Sequence, residues 1–128
     1  AEDYPLRNAL VTTLANIVIH VLTNIDEDKD PQNRITYHKA KERFLGTLLE
    51  RVYDKHAFAR SKVIETLDKL VKANAIPKDK YPTFVNIACE RLCDVSAFVR
   101  KQSLKFLCTL VRMHHNIFST GDECKFST

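Results

Sequence analysis

The sequence predicts an all-α protein made of antiparallel helix pairs stacked at a period of about forty residues. Three observations carry that prediction. The first is an internal copy: residues 44–74 slide onto 84–114 without a gap. Phe44 falls on Phe84, Glu50 on Glu90, Arg51 on Arg91 and Asp54 on Asp94. Ala57, Phe58 and Arg60 fall on Ala97, Phe98 and Arg100, and Leu67, Leu70 and Val71 fall on Leu107, Leu110 and Val111. A fixed period of 20 to 50 residues is the mark of a stacked array. The second is helical periodicity. Val63, Ile64, Leu67, Leu70 and Val71 follow Arg60 at offsets that trace one apolar stripe at 3.6 residues per turn. The same offsets hold Leu10, Val11, Leu14, Ile17 and Val18 after Arg7, and Ser103, Leu104, Leu107, Leu110 and Val111 after Arg100. The third is the scarcity of breakers: two glycines and four prolines in 128 residues, with 45% apolar residues and no sustained apolar–polar alternation.

Taken in order, the first helix is expected from Pro5 to Asn24, with Pro5 in a first turn where its missing N–H costs nothing. It reads as the second helix of a truncated repeat (4–24). Its stretch 8–25 carries no charge, but seven of those eighteen residues are Asn, Thr or His and "DEDKD" follows, so a membrane span is set aside. A helix buried on most sides is expected instead. Residues 25–33 read as an acidic loop, about thirteen residues longer than the period requires, and insertions in arrays go to loops at one edge. A complete repeat follows over 34–74, with helices from about Ile35 to Val52 and Ala57 to Asn74. "AIPKDKYP" separates it from the next repeat, 79–117, whose helices end near Leu92 and run from Ala97 to His115. Residues 118–128 read as a loop or frayed tail. Both ends look cut, so the chain is expected to be one HEAT-repeat fragment, an α-solenoid of the class with this period.

The near-duplicate segments "DKHAFARS" and "DVSAFVRK" mark the turn within each pair. Asp54 and Asp94 end a first helix, and Arg60 and Arg100 open the second. Each aspartate is placed to accept hydrogen bonds from turn N–H groups. Each arginine is placed to reach the aspartate of a neighbouring repeat, and both are expected to be largely buried there. Such pairs fix the register of a stack. Ala57 and Ala97 leave room for close helix contact, and Phe58 and Phe98 are expected to fill the core between repeats.

Charge is uneven. Residues 1–33 hold two basic and six acidic side chains, whereas 34–128 hold eighteen basic and ten acidic. A basic body suits an acidic partner. Off the apolar stripes lie Lys62, Lys69 and Lys72, then Lys101, Lys105 and Arg112, a candidate track for sequence-independent contact with duplex DNA, interrupted by Glu65 and Asp68. A merely solvated face is the alternative, and no aromatic interleaving of the single-strand-binding kind is present.

Enzyme chemistry finds little support. Cys89, Cys93, His114 and His115 are a conceivable zinc set, but no Cys-x-x-Cys occurs and Cys89 aligns with a core leucine, Leu49. With Gly46 and Gly121 alone there is no phosphate-cradling loop, and no nucleophile motif is present. No catalytic residue, cofactor, metal, membrane or small-molecule substrate is expected. The four cysteines, Cys89, Cys93, Cys108 and Cys124, read as reduced thiols of a nuclear or cytosolic protein.

The same segments resemble condensin subunit 1, the HEAT-repeat non-SMC subunit of condensin I. Asp94, Ser96, Val99, Arg100 and Lys101 match its Asp-x-Ser-x-x-Val-Arg-Lys segment. Asp54, Ala57, Phe58, Arg60 and Ser61 match the equivalent segment one repeat earlier. Ala75, Ile76 and Pro77 resemble its link, and Leu6 to Val11, "LRNALV", its preceding helix. Asn116, Ile117 and Phe118 stand where that family has Asn-Pro-Phe, so the proline is absent here. The resemblance covers roughly residues 4–118 and a small part of a family member. It implies a scaffold that binds the kleisin subunit, meets the SMC ATPase heads and helps condensin load on DNA in mitotic chromosome condensation. It also implies a place in the nucleus and on chromosomes, with cytoplasm outside mitosis. A HEAT scaffold of another class, a nuclear transport receptor or a phosphatase scaffold, is the other reading.

Overall fold

A computed structural model describes residues 4–24 and 30–118, and the residues described fold into helices joined by tight turns, with no strand among them. The helices are α1 (Tyr4–Asn24), α2 (Pro31–Arg51), α3 (Ala57–Lys72), α4 (Tyr81–Arg91) and α5 (Ala97–Phe118), with a single 3₁₀ turn, Lys78–Lys80, ahead of α4. This is an all-α arrangement of the HEAT-like kind.

Local sequence explains the boundaries. Helix α2 begins at Pro31, inside the stretch expected as loop. Asp30 is extended and its carboxylate accepts the Gln32 backbone N–H at 3.0 Å, while Pro31 sits in the first turn. "DPQN" is thus an N-cap with its proline, although its composition is equally that of a turn. Helix α3 ends in a Schellman motif. Asn74 takes φ 57°, Ala75 N–H donates to Leu70 O at 2.9 Å, and Asn74 N–H donates to Val71 O at 3.1 Å. Asparagine tolerates this left-handed turn better than most residues, and the buried Ala75 and Leu70 supply the motif's apolar contact. Helix α4 opens with a proline in its first turn. Helix α5 continues to Phe118, three residues past the expected His115.

Helix α3 is the centre of the molecule. It packs most extensively against α5, then α1, and also against α2, while α4 rests on α5. Val63, Ile64, Leu67, Leu70 and Val71 of α3 are all fully enclosed. Around them gather Phe44, Leu45, Leu48 and Val52 from α2, Phe84, Ile87 and Ala88 from α4, and Val99, Phe106 and Leu110 from α5. The Phe84 and Phe106 rings lie 6.1 Å apart, a tilted pair across the α4–α5 contact.

Several expectations about burial fail on the flanks of this core. Helix α1 is not buried on most sides. Val11 and Ala15 are buried, whereas Leu6, Leu10, Leu14 and Ile17 are exposed. Among the described residues α1 packs mainly on α3 and α2, and its other side is left exposed. Likewise Leu104 and Val111 are exposed on α5 although they lie on its apolar stripe. Phe58 and Phe98 are exposed as well and do not fill the core. They meet each other at the edge of the α3–α5 contact, with ring centroids 5.2 Å apart. Ala97 and Cys89 are exposed too, although their counterparts Ala57 and Leu49 one repeat earlier are partly buried against the core. Among the described residues no helix is long and apolar enough to cross a membrane. The acidic stretch at 25–29 and the tail at 119–128 lie outside the described residues.

Candidate functional site

Two helix-pair turns and the arginines that bridge them form the most highly organised polar structure among the described residues. In the α2–α3 turn, one oxygen of Asp54 accepts the backbone N–H of His56 at 2.9 Å. In the α4–α5 turn, Asp94 accepts the backbone N–H of Ser96 at 2.9 Å. Each aspartate therefore closes its own turn, as Asx residues do. Each then receives an arginine from an earlier helix, Asp54 from α1 and Asp94 from α3. Arg60 grips Asp94 with two nitrogens, Nε and Nη2, both at 2.9 Å. Arg7 reaches Asp54 through Nη2 alone, at 3.1 and 3.4 Å. The Nη1 of Arg60 donates to the backbone carbonyl of Asp54 at 2.7 Å, so one guanidinium ties two successive turns together.

Burial by itself raises both carboxyls, but the donors around them outweigh it. The Arg60 hydrogen bonds, the Ser96 N–H and the charges of Arg60 and Arg91 hold Asp94 below its ordinary value. The His56 N–H, together with Arg7, His56 and Arg51, does the same for Asp54. Arg91 adds a second cation to Asp94 at 3.3 Å and also lies over the Tyr53 ring, 5.3 Å from its centroid. The Tyr53 hydroxyl donates to Glu90 at 3.1 Å, and that hydrogen bond raises its pKa.

Of the residues predicted for this device, Asp54, Arg60 and Asp94 come together and Arg60 is buried. Arg100 departs from expectation. Its Nη1 donates to the Asp94 carbonyl at 2.8 Å, as Arg60 does to Asp54, but the side chain is exposed. Among the described residues no carboxylate lies within ion-pair distance of it. Arg7 was missed, although a signal was present: it heads its helix at the same offset from the apolar stripe as Arg60 and Arg100.

The predicted basic track divides. Lys62 is half-buried and pairs with Glu65 at 3.4 Å, and Lys72 pairs with the buried Asp68 at 3.0 Å. Lys69, Lys101, Lys105 and Arg112 are exposed, with no carboxylate within ion-pair distance among the described residues. Lys101, Lys105 and Arg112 lie at spacings of four and seven on α5, hence on one face. Cys89, Cys93 and Cys108 are free and exposed, and no cluster of three metal-binding side chains occurs among the described residues.

Against known proteins, no family model matches the chain and no solved structure matches it. Curated relatives do match. Condensin complex subunit 1 of Homo sapiens is 29% identical over 126 residues, 98% of this chain. Condensin complex subunit 1 of Xenopus laevis is 28% identical over 127 residues. Condensin-1 complex subunit CAP-D2 of Arabidopsis thaliana is 30% identical over 117 residues, 91% of this chain. The chain spans about 8% of the length of these relatives. It is thus similar, along nearly its whole length, to one segment of condensin subunit 1.

Proposed function

We propose that this chain is a non-enzymatic scaffold segment of condensin. It holds the kleisin subunit and the SMC heads in place during mitotic chromosome condensation, in the nucleus and on chromosomes. The observation that carries this reading is the extent of the similarity, which covers 98% of the chain in the human relative. The physical picture agrees with it. Arginine bridges from turn to turn make a surface whose register is fixed, and fixed register is what a scaffold supplies. The pull-down partner is purified kleisin, offered to the full chain in parallel with a nuclear transport cargo and a phosphatase catalytic subunit. Capture of kleisin alone is expected. Capture of either alternative, with kleisin left in solution, would overturn the assignment.

Contact with duplex DNA is part of the same proposal, carried by Lys69, Lys101, Lys105 and Arg112. The pairing of Lys62 and Lys72 with carboxylates removes them from the set that a phosphate backbone meets first. Helices lying along a shallow face read phosphate and not base edges, so affinity is expected to ignore sequence. Each phosphate contact contributes about −0.9 to the slope of log K against log salt. Lys101→Glu with Arg112→Glu is expected to flatten that slope by about 1.8, with unchanged helicity because both side chains are exposed. A fluorescence titration at several salt concentrations measures it. An unchanged slope would leave the face as solvated surface.

A further inference from the structure

The two turns share one frame but fill it differently. In the α4–α5 turn Arg60 meets Asp94 with two nitrogens at 2.9 Å, and Arg91 closes on the same carboxylate at 3.3 Å. The residue after that aspartate is Val95. In the α2–α3 turn the corresponding side chains stand apart. Arg7 reaches Asp54 through Nη2 alone, and Arg51 stops at 3.9 Å, too long for a hydrogen bond. Lys55 stands where the other turn has its valine. Between them lies a recess of about 300 Å3, lined by Arg7, Arg51, Asp54 and Lys55.

Donors and acceptors do not balance around this recess. Both oxygens of Asp54 already receive donors, one from the His56 N–H and both from Arg7 Nη2. The Nε of Arg7 is buried and meets no acceptor among the described residues. A buried donor left in that state is costly, and a built site is one place where such a cost is tolerated. Three cationic side chains and one carboxylate line the recess, a formal excess of two positive charges. Cations gathered at short range repel one another until a counter-charge sits among them.

We infer that the recess between α1 and the α2–α3 turn is a phosphate-monoester site, with Arg7, Arg51 and Lys55 as its cationic partners. Its ligand is free phosphate or the phosphate group of a phosphorylated serine or threonine side chain. Charge chooses this chemistry. A phosphate monoester carries about −1.5 to −2 at pH 7, which matches the excess, whereas a carboxylate or a phosphodiester brings one charge. Shape agrees, because guanidinium forks suit phosphate oxygens and bind them in pairs. The volume is that of the smallest ligand pockets, enough for a phosphate group. The assignment does not depend on a condensin role, so it stands or falls separately from the kleisin pull-down.

Calorimetric titration of the full 128-residue chain tests it. One arm uses inorganic phosphate, against chloride at matched ionic strength. The other uses a short glycine–serine peptide bearing one phosphoserine, beside its unphosphorylated form. Phosphate is expected to bind at about millimolar Kd or tighter. Binding of the phosphopeptide as well identifies a phosphorylated side chain as a ligand, and binding of phosphate alone identifies the free anion. Arg51→Gln with Lys55→Val leaves the Arg7–Asp54 bridge in place and is expected to weaken phosphate binding by about tenfold or more. Its melting temperature in phosphate-free buffer is expected to be unchanged. Lys69→Gln with Lys105→Gln removes two exposed cations elsewhere and is expected to leave phosphate binding as it was. Absence of binding in both arms overturns the proposal, and so does an equal loss in the two double variants. Affinity for duplex DNA that falls as far as phosphate affinity in Arg51→Gln with Lys55→Val also overturns it, since the recess would then serve a phosphodiester.

Discussion

The two complete bridges pair the same residue types, an arginine with a turn aspartate, across 47 and 34 residues of chain, yet they differ in geometry. In the α3–α5 bridge the Arg60 and Asp94 side chains are 10% and 2% exposed, and two nitrogens meet two oxygens. In the α1–α3 bridge Arg7 and Asp54 are 23% and 11% exposed, and one nitrogen serves both oxygens. The Nε of Arg7 is buried with no hydrogen-bond partner. The helices account for the difference. Helix α1 packs less extensively on α3 than α5 does, so its arginine is held less squarely and water reaches the pair more easily. A motif therefore fixes which residues meet, and the packing around it fixes how much their meeting contributes.

The sharpest way to break that contrast is to remove each acceptor. Asp94→Ala leaves Arg60 and Arg91 facing a buried vacancy and is expected to cost about 3–5 kcal/mol. Asp54→Ala, whose cations reach water, is expected to cost about 1–2 kcal/mol. Chemical denaturation of both variants measures the difference, and equal costs would erase the distinction between the bridges.

A double-mutant cycle isolates the pair from its surroundings. Coupling between Arg60 and Asp94 is expected at about 2–3 kcal/mol, and between Arg7 and Asp54 at about 1 kcal/mol or less. If the Arg7 cycle gives the larger value, the exposure argument is wrong.

Acid sharpens the comparison from another side. Both carboxyls titrate below their ordinary range in the folded chain. The stability they contribute is fully present above the unfolded carboxylate pKa and is lost as pH falls through the folded values. Melting temperature is expected to hold from neutral pH down to the ordinary carboxylate range and to drop below it. In Asp94→Asn that acid-side drop is expected to be shallower than in Asp54→Asn. A drop of the same steepness in both would point to other carboxyls.

The smallest effect belongs to the bridge with one end open. Arg100→Ala removes one bond to the Asp94 carbonyl from an exposed side chain and is expected to cost about 0.5–1 kcal/mol, an ordinary hydrogen bond. Calorimetry of that variant checks it. A loss as large as that of Arg60→Ala would mean that Arg100 has a partner outside the described residues.

Much of this architecture was legible in the chain, because its signals are local or periodic. The helices follow from the 3.6-residue stripes and the scarcity of breakers, and the Asp-to-Arg spacing of six residues marks both turns. What was not legible is which side of each stripe finds a neighbour. Leu104 and Ile64 occupy equivalent repeat positions and have equal hydrophobicity for any sequence pattern, but one faces solvent and the other lies in the core. Exposure of that kind is a property of neighbours and not of the residue. The start of α2 escaped for a different reason: aspartate followed by proline serves both turns and helix caps. Pairing within a helix was not legible either: Lys72 meets Asp68 at 3.0 Å while staying exposed, and the charge count is the same with or without that contact.

Arg60 also has a mechanical meaning. Its guanidinium is a strut fastened at once to the Asp54 carbonyl and the Asp94 carboxylate. Successive helix pairs are thereby riveted at their turn tips. Remote from those tips, Lys80 at the start of α4 meets Glu42 of α2 only through a long, solvent-exposed ion pair of 3.7 Å, a far weaker tie. Bending of the array is expected to pivot on the riveted edge and fan open at the far one, as pages turn about a spine.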